Sequence, residues 1–334
     1  MFHRILISYI NSGGFSKSDF FLGLIFPFLV FQKNSKRLMY LFRQEKDFEI
    51  DSSTKLSVQV ELYQGTNPYV KKMMAQLKGE LKEDLFGAYL HGSLATQEEI
   101  LYSDFDALVI LNDTVFENEK RLSKVALKLN RLQKNMYDFD PLQHHGWFVL
   151  TESMLKNYPT AYFPIELFKH SVSLLTSEGL RFDISYDSNE IDFETPFLQL
   201  SNELLKKVQY NYRPKNSFAL KSFLSEFMLL PSFYLQLKNK KAIYKKESFE
   251  LARKDFSDKE WNIMDQVSEI RKEWNYEISV TQRNLLCHNN SVVRKLSRKF
   301  APEILNSIAE KLTDEFYAAM SSLVLSMQTN VKSL

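Results

Sequence analysis

Two aspartates one residue apart, Asp104 and Asp106, open an apolar segment, and the pair Gly92-Ser93 stands ten residues before them. Carboxylates at alternate positions of a strand point to the same face, where they repel each other unless a cation lies between them. Mg²⁺ commonly combines a few carboxylates with substrate phosphates. Glycine lets the backbone approach a ligand closely, and a serine hydroxyl with neighbouring N–H groups can hold an anion. The combination fits phosphoryl or nucleotidyl transfer with two metal ions; the alternative is a surface strand end with two solvated acids.

The elements that must position these residues can be predicted from hydrophobic periodicity. Alternating or continuous apolar runs predict three strands. A 3.6-residue period predicts one helix with an Asn-Pro start before the first strand and another helix between the last two strands, while 93–100 is predicted to be a short helix or a helical turn. The order is helix, strand, helix, strand, helix, strand, which favours an α/β or α+β sheet domain. We predict the α+β class, a mixed sheet with flanking helices. The predicted elements are helices at 66–81 and 116–134 and strands at 85–91, 104–111 and 146–151.

The second half of the chain has a different pattern, because strand signals become rare after about residue 195 and helical periods dominate. The sequence therefore predicts a C-terminal helical bundle after the sheet domain. The predicted domains are an N-terminal extension of unknown role at 1–65, a catalytic domain at 66–195 and a helical domain at 196–334.

Two helices of this second half can be predicted individually. One covers 217–230, and Pro231 should end or kink it because proline cannot continue a helical hydrogen-bond pattern. A late helix is predicted to begin near Pro302, because apolar residues follow it at four-residue steps from Ile304 to Phe316.

Composition limits the class of protein. The chain has 334 residues, of which 44% are hydrophobic and 25% charged, as is typical of a globular protein. A net charge of +2 gives no global basic field, so DNA is not an expected partner. The single cysteine, Cys287, excludes an internal disulfide and fits a cytoplasmic location. The apolar run at 20–31 is too short to span a bilayer and contains Pro27, so we expect neither stable membrane insertion nor a secretory signal.

The stretch from 85 to 111, with its core "HGSLATQEEILYSDFDALVI", resembles the signature of the polymerase-beta-like nucleotidyltransferase superfamily. More loosely, a sheet domain followed by a helical domain is similar to the antibiotic-type and minimal nucleotidyltransferases. The resemblance implies transfer of a nucleoside monophosphate from a triphosphate, with ATP expected, to an acceptor hydroxyl of a small molecule or protein. It implies that Gly92 and Ser93 hold the triphosphate and that Asp104 and Asp106 bind two Mg²⁺ ions. A homodimer is compatible with the sequence.

The third carboxylate that the resemblance implies on the following strand is missing from this sequence. Asp140 stands close by, but Pro141 indicates that it lies in a turn before the strand. His144 and His145 are the alternatives, because imidazole can bind a metal or act as a base. His145 is nearer the strand and is the predicted third catalytic residue.

Basic residues at 237–254 suggest a further contact. Lysines from the helical domain of related nucleotidyltransferases often bind the triphosphate, and by resemblance Lys245 or Lys246 could do so here. A solvated helix end is the alternative interpretation.

Two other functions remain open from the sequence. Arg283, Asn284 and His288 resemble the ribonuclease motif of HEPN domains, which would suit a toxin–antitoxin type protein whose helical domain cuts RNA. The missing strand carboxylate would also suit a nucleotide-binding protein without catalytic activity.

Overall fold

The computed structural model describes residues 1–14, 27–46, 54–175 and 179–332, without the side chains of 27–32 and 190. Its β-strands are β1 (Thr54–Gln59), β2 (Glu61–Leu62), β3 (Leu85–His91), β4 (Asp106–Leu111), β5 (Phe148–Thr151), β6 (Val172–Ser173) and β7 (Arg181–Tyr186). Its α-helices are α1 (Phe2–Asn11), α2 (Pro27–Glu45), α3 (Pro68–Glu80), α4 (Glu119–Phe139), α5 (Glu194–Gln209), α6 (Ser217–Phe227), α7 (Leu230–Asn239), α8 (Lys245–Arg253), α9 (Asp258–Lys272), α10 (Val280–Leu286), α11 (Ser291–Ser297), α12 (Asn306–Ala309) and α13 (Asp314–Lys332).

These elements form two compact units. The first unit comprises Met1–Glu99, Ser103–Glu190 and Val280–Lys299, and the second comprises Ile100–Tyr102, Ile191–Ser279 and Phe300–Leu334. Strands and helices are mixed in the first unit and the second is helical, which confirms the predicted α+β class. The domain boundaries inferred from the sequence stay predictions.

The first unit contains a five-stranded sheet with the order β2-β6-β3-β4-β5. Its strands β3 and β4 are antiparallel and pair His91 with Asp106, whereas β4 and β5 run parallel. Strands β1 and β7 form a separate antiparallel pair. The mixed directions place the end of β3 beside the beginnings of β4 and β5.

Both faces of the sheet are covered, which explains the continuous apolar runs of its central strands. Residues such as Leu90 and Val109 lie in a core shared with α1, α3 and α4, while Leu108 and Leu150 pack in a second core with the β1–β7 pair. A fully buried leucine or valine contributes about 1.5–3 kcal/mol of transfer free energy, so this packing fixes the register of β3 against β4.

Two of the helices that cover the sheet were predicted, although α4 begins at Glu119 and not at residue 116. Asn67 caps α3 by accepting from the backbone N–H groups of Tyr69 (3.0 Å) and Val70 (3.4 Å), and Pro68 is its first residue. Asn118 caps α4 in the same way.

The N-terminal region contains the apolar run at 20–31, of which residues 20–26 lie outside the described residues. Pro27 is the first residue of α2, where a proline is well tolerated. No described helix is both long and apolar enough to cross a membrane.

Candidate active site

The sharp turn after β3 brings Gly92 next to Asp106. Gly92 has a φ of +72°, a left-handed conformation that glycine adopts readily. A Cβ atom at this position would lie 2.8 Å from Oδ2 of Asp106, closer than van der Waals contact permits. The left-handed turn therefore favours glycine, and any larger residue would displace the carboxylate of Asp106.

Residues 93–97, which follow this glycine, form a turn, one of the two forms predicted for this segment. The N–H of Ala95 donates to the carbonyl of Gly92 (3.1 Å), and the Ser93 hydroxyl donates to the Ser103 hydroxyl (2.8 Å). Ser103 directly precedes the first aspartate, so the bond between the two serines joins the Gly-Ser turn to the acidic segment.

Asp104, Asp106 and His145 come together at one end of the sheet. Each offers one ligand atom, and these three atoms all lie within 4.8 Å of one another. His145 Nε2 is 2.8 Å from Oδ1 of Asp106, and both side chains are partly exposed. His144 Nδ1 lies 3.6 Å from Oδ2 of Asp104, beyond hydrogen-bond distance for a well-formed bond. The structure thus brings together the two predicted aspartates and the predicted histidine.

The side chain of Gln143, which sequence reasoning missed, holds these three residues in position. Its Oε1 accepts from the N–H of Phe105 (2.8 Å), and its Nε2 donates to the carbonyls of Phe105 (3.0 Å) and His145 (3.0 Å). Gln143 is fully buried. The expected strand from residue 104 therefore begins at Asp106, because Gln143 uses both backbone groups of Phe105.

Two arginines of the first unit also hold this segment. Arg294 donates to the carbonyl of Gln143, and its guanidinium stacks 3.7 Å above the centre of the Tyr137 ring. Arg298 donates to the carbonyl of His144 (2.8 Å). The loop before β5, expected to be a strand from residue 146, is therefore held through its carbonyl groups and β5 begins at Phe148.

Electrostatics couple Asp106 and His145. Burial is the largest single influence on each and opposes its charged form, but hydrogen bonds and charges of neighbouring groups, the partner's first, together outweigh it. The pKa of Asp106 is consequently lowered, and the pKa of His145 is raised to about 9. Without a cation, His145 therefore carries a proton at neutral pH and donates it to Asp106.

His91, which the sequence analysis passed over, lies across the strand pair from Asp106. Burial lowers the pKa of its imidazole to about 4, so the ring is neutral at physiological pH. Its Nε2 is buried without a hydrogen-bond partner among the described residues, and its ring packs against Phe148 and Phe163. In the sequence, the position of this histidine directly before the Gly-Ser pair is the signal that could have pointed to it.

The side chains of this cluster fit a divalent cation. Two carboxylates and one imidazole are all groups that bind such ions, and their partial exposure leaves room for further oxygen ligands from water or substrate. Asp104, Asp106 and His145 are the residues that would hold it.

The predicted lysines belong to the second unit. Lys245 and Lys246 are the first two residues of α8. Their contact with a triphosphate stays a prediction.

The residues of the ribonuclease-like motif lie at the end of α10 and just after it. Arg283 is on α10, which ends at Leu286, and His288 follows the helix, so their joint role stays a prediction. His288 accepts from the N–H of Asn290 through Nδ1 (2.9 Å), and Arg283 donates to the carbonyl of Asp138 (2.7 Å). The helix ends before His288 because the segment turns there into the asparagine-capped start of α11.

Cys287 should react slowly with alkylating reagents in the folded protein. Its thiol is buried and donates to the carbonyl of Tyr137 (3.0 Å), and burial raises its pKa to about 11. At pH 8 this leaves about 200-fold less thiolate than an ordinary cysteine with a pKa near 8.5. We expect iodoacetamide to label the native chain at least about 100-fold more slowly than the urea-unfolded chain, with the native rate rising up to pH 11. As the chain has one cysteine, total label reports on this thiol, and similar rates in both states would contradict the prediction.

A cavity of about 470 Å³ lies elsewhere in the first unit, at the opposite end of β5 from His145. Its lining includes Phe2, His3, Thr151 and Tyr158. None of the three residues of the candidate site, Asp104, Asp106 and His145, lines this cavity.

Comparison with known proteins gives little to add to this geometry. No family model and no curated protein matches the sequence. Among solved structures, the chain is similar to a nucleotidyltransferase, the spectinomycin adenyltransferase AAD(9) from Enterococcus faecialis, whose structure contains ATP and spectinomycin. The identity is 14% and the TM-score 0.32, over 70% of this chain and 98% of the other. The function proposed below therefore rests on the residues of the site.

Proposed function

We propose that the first unit catalyses the magnesium-dependent transfer of a nucleoside monophosphate from a nucleoside triphosphate to an acceptor hydroxyl. The single observation that carries this proposal is the convergence of Asp104, Asp106 and His145 beside the left-handed turn at Gly92. A cation site next to a glycine turn suits a triphosphate, since its charge must be neutralised and its oxygens held.

Each residue of this site has a separate proposed role. Asp104 and Asp106 hold two Mg²⁺ ions, which supply Lewis-acid stabilisation of the phosphate charge when bound. Gly92 and Ser93 are proposed to hold the triphosphate. The glycine leaves space beside Asp106, and the Ser93 hydroxyl, which donates to Ser103 in this structure, can turn to donate to a phosphate oxygen instead. Gln143 is buried and holds the backbone of Phe105 and His145 in place.

The reaction balances without any further reagent. The acceptor oxygen forms a bond to the α-phosphorus, and the bond from that phosphorus to the bridging oxygen breaks. Pyrophosphate leaves, and the hydroxyl proton passes to the surrounding water. ATP is the proposed nucleotide, the acceptor is a small molecule or a protein, and Lys245 and Lys246 are proposed to assist in binding the triphosphate. We place the activity in the cytoplasm.

Label position provides the decisive test of the proposal. Incubation with Mg²⁺, cell extract and ATP labelled at the α-phosphorus should transfer label to an acceptor, whereas ATP labelled at the γ-phosphorus should transfer none and yield labelled pyrophosphate. The remaining three nucleoside triphosphates, tested in parallel, identify the preferred base. The variant carrying both Asp104→Asn and Asp106→Asn is the control, and we expect it to lose the signal.

Three outcomes would contradict the proposal in different ways. Transfer of γ-label would indicate a kinase. Label transfer that survives in the double variant would show that the site assignment is wrong. Saturable binding of ATP with Mg²⁺, without transfer to any acceptor in the extract, would favour a nucleotide-binding protein without catalytic activity.

A further inference from the structure

We propose that His145 is a metal ligand, and that one of the two cation positions is therefore a mixed nitrogen and oxygen site that prefers a first-row transition ion such as Mn²⁺ to Mg²⁺. The inference rests on the proposed function only for the expectation that a cation binds between the two aspartates.

The separation of the ligand atoms fits direct coordination by His145. Divalent ions bind carboxylate oxygen and imidazole nitrogen at about 2.0–2.2 Å, which puts adjacent ligands of an octahedral site about 2.8–3.1 Å apart. His145 Nε2 and Oδ1 of Asp106 are 2.8 Å apart. The ligand atom of Asp104 is the third of the set, and all three atoms lie within 4.8 Å of one another. Ligands on opposite sides of one ion are about 4.0–4.4 Å apart, so these separations suit binding to a single ion.

The second nitrogen of the ring gives an independent observation. His145 Nδ1 lies 2.9 Å from the carbonyl oxygen of Gly146. A carbonyl can only accept, so Nδ1 carries the hydrogen, and in the neutral ring Nε2 then presents its lone pair towards Asp106. A backbone carbonyl that fixes the outer nitrogen is the usual support of a metal-binding histidine, because it sets the tautomer and the orientation of the ring.

The backbone of this histidine is fixed as well. Its carbonyl accepts from Gln143 Nε2 (3.0 Å), and the same Gln143 side chain binds both backbone groups of Phe105, between the two aspartates. One buried side chain thus links the nitrogen ligand to the oxygen ligands. This linkage is what a preformed three-residue site requires.

A nitrogen ligand changes the choice of ion. Mg²⁺ prefers oxygen ligands and keeps several bound waters. Imidazole is a better ligand for first-row transition ions, and the affinity of a given site for these ions rises from Mn²⁺ towards Cu²⁺ in the Irving–Williams order. Two carboxylates and one imidazole therefore favour Mn²⁺, Co²⁺ or Zn²⁺ over Mg²⁺ at this position. A third carboxylate in place of the imidazole would weaken this preference.

Electron paramagnetic resonance with Mn²⁺ as the probe tests this assignment without measuring catalysis. In the full chain, electron spin-echo modulation should show coupling of one ¹⁴N nucleus to the bound Mn²⁺. His145→Gln should abolish that coupling and weaken Mn²⁺ binding at least about tenfold. The matched control is His144→Gln, which should keep the coupling, because His144 lies outside the three-residue set.

A second variant keeps the test sharp if His145→Gln does not fold. His145→Asp should still bind Mn²⁺, show no nitrogen coupling, and reduce the preference for Mn²⁺ over Mg²⁺ by roughly tenfold in competition titrations. Wild-type protein that binds Mn²⁺ without nitrogen coupling, or does not bind it at all, would overturn the inference, as would coupling that disappears only in the His144 variant.

The resonance experiment and the label-transfer experiment can succeed or fail independently of each other. Transfer of α-label with Mg²⁺ but no nitrogen coupling would leave the transferase standing and reduce His145 to an ion-pair partner of Asp106. Nitrogen coupling without transfer of any label would establish the cation site and remove the transferase.

Discussion

The Asp106→Asn variant is expected to lose nucleotidyl transfer by about 10³-fold or more while remaining folded. The carboxylate of Asp106 belongs to the proposed cation site and also forms the ion pair with His145. Replacing it by the neutral amide of asparagine removes the negative charge on which both interactions depend. A cation is worth several kcal/mol to charge stabilisation in phosphoryl chemistry, and about 4 kcal/mol corresponds to a 10³-fold rate. The measurement is the initial rate of α-label transfer under saturating ATP and Mg²⁺.

A matched aspartate provides the control for this variant. Asp183 lies on β7 of the same unit, is exposed, and accepts a hydrogen bond from Ser57 (2.7 Å). Asp183→Asn should keep the transfer rate within about twofold, as is usual for surface changes. Circular dichroism and a thermal melt of both variants exclude unfolding as the cause. Equal rates for wild type and Asp106→Asn would contradict the role given to this carboxylate.

Gly92→Ala is expected to fold but to transfer label about 100-fold more slowly than wild type. Alanine in a left-handed conformation costs about 1–2 kcal/mol of stability. Its Cβ would also lie 2.8 Å from Oδ2 of Asp106, so the carboxylate must move away from the position it shares with His145. A displacement of about 1 Å at a reacting centre can cost about 10²-fold in rate.

Gly79→Ala separates this local effect from the general effect of a methyl group. Gly79 lies in α3, and among the described residues no atom lies within 4 Å of the Cβ that alanine would add. The substitution should stabilise the protein by about 0.5–1 kcal/mol and leave transfer unchanged, because alanine favours helix over glycine. Urea unfolding and label transfer, measured on both variants, provide the comparison. If both alanine variants transferred label at the wild-type rate, Gly92 would have no role in shaping the site.

Much of the sheet and the core of the site could be predicted because the signals are local. The apolar runs at 85–91 and 106–111 specify buried strands, and Asn67-Pro68 specifies a helix start. Pro231 likewise separates α6 from α7 as predicted, the break falling at 228–229. Each of these signals depends on residues that are neighbours in sequence.

What could not be predicted depends on contacts between distant residues. Gln143 acts on Phe105, 38 positions away, and no periodicity marks such a pair. The late helix expected from Pro302 instead appears as α12 and α13, with α13 starting at Asp314. The reason is again a distant partner, because Ser217 binds the carbonyls of Pro302 and Glu303 and takes them out of any helix.

The role of Gln143 has a consequence for the energy of the protein without bound ions. Because it fastens Phe105 by the backbone, the flanking Asp104 and Asp106 are prevented from swinging apart to relieve their mutual repulsion, which acts against the ionised form of Asp106. In the protein without bound ions the protonated His145 offsets this repulsion, and the pKa of Asp106 is lowered as a result. A cation that binds between the acids takes the place of that proton, so ion binding should release about one proton and weaken as the pH falls.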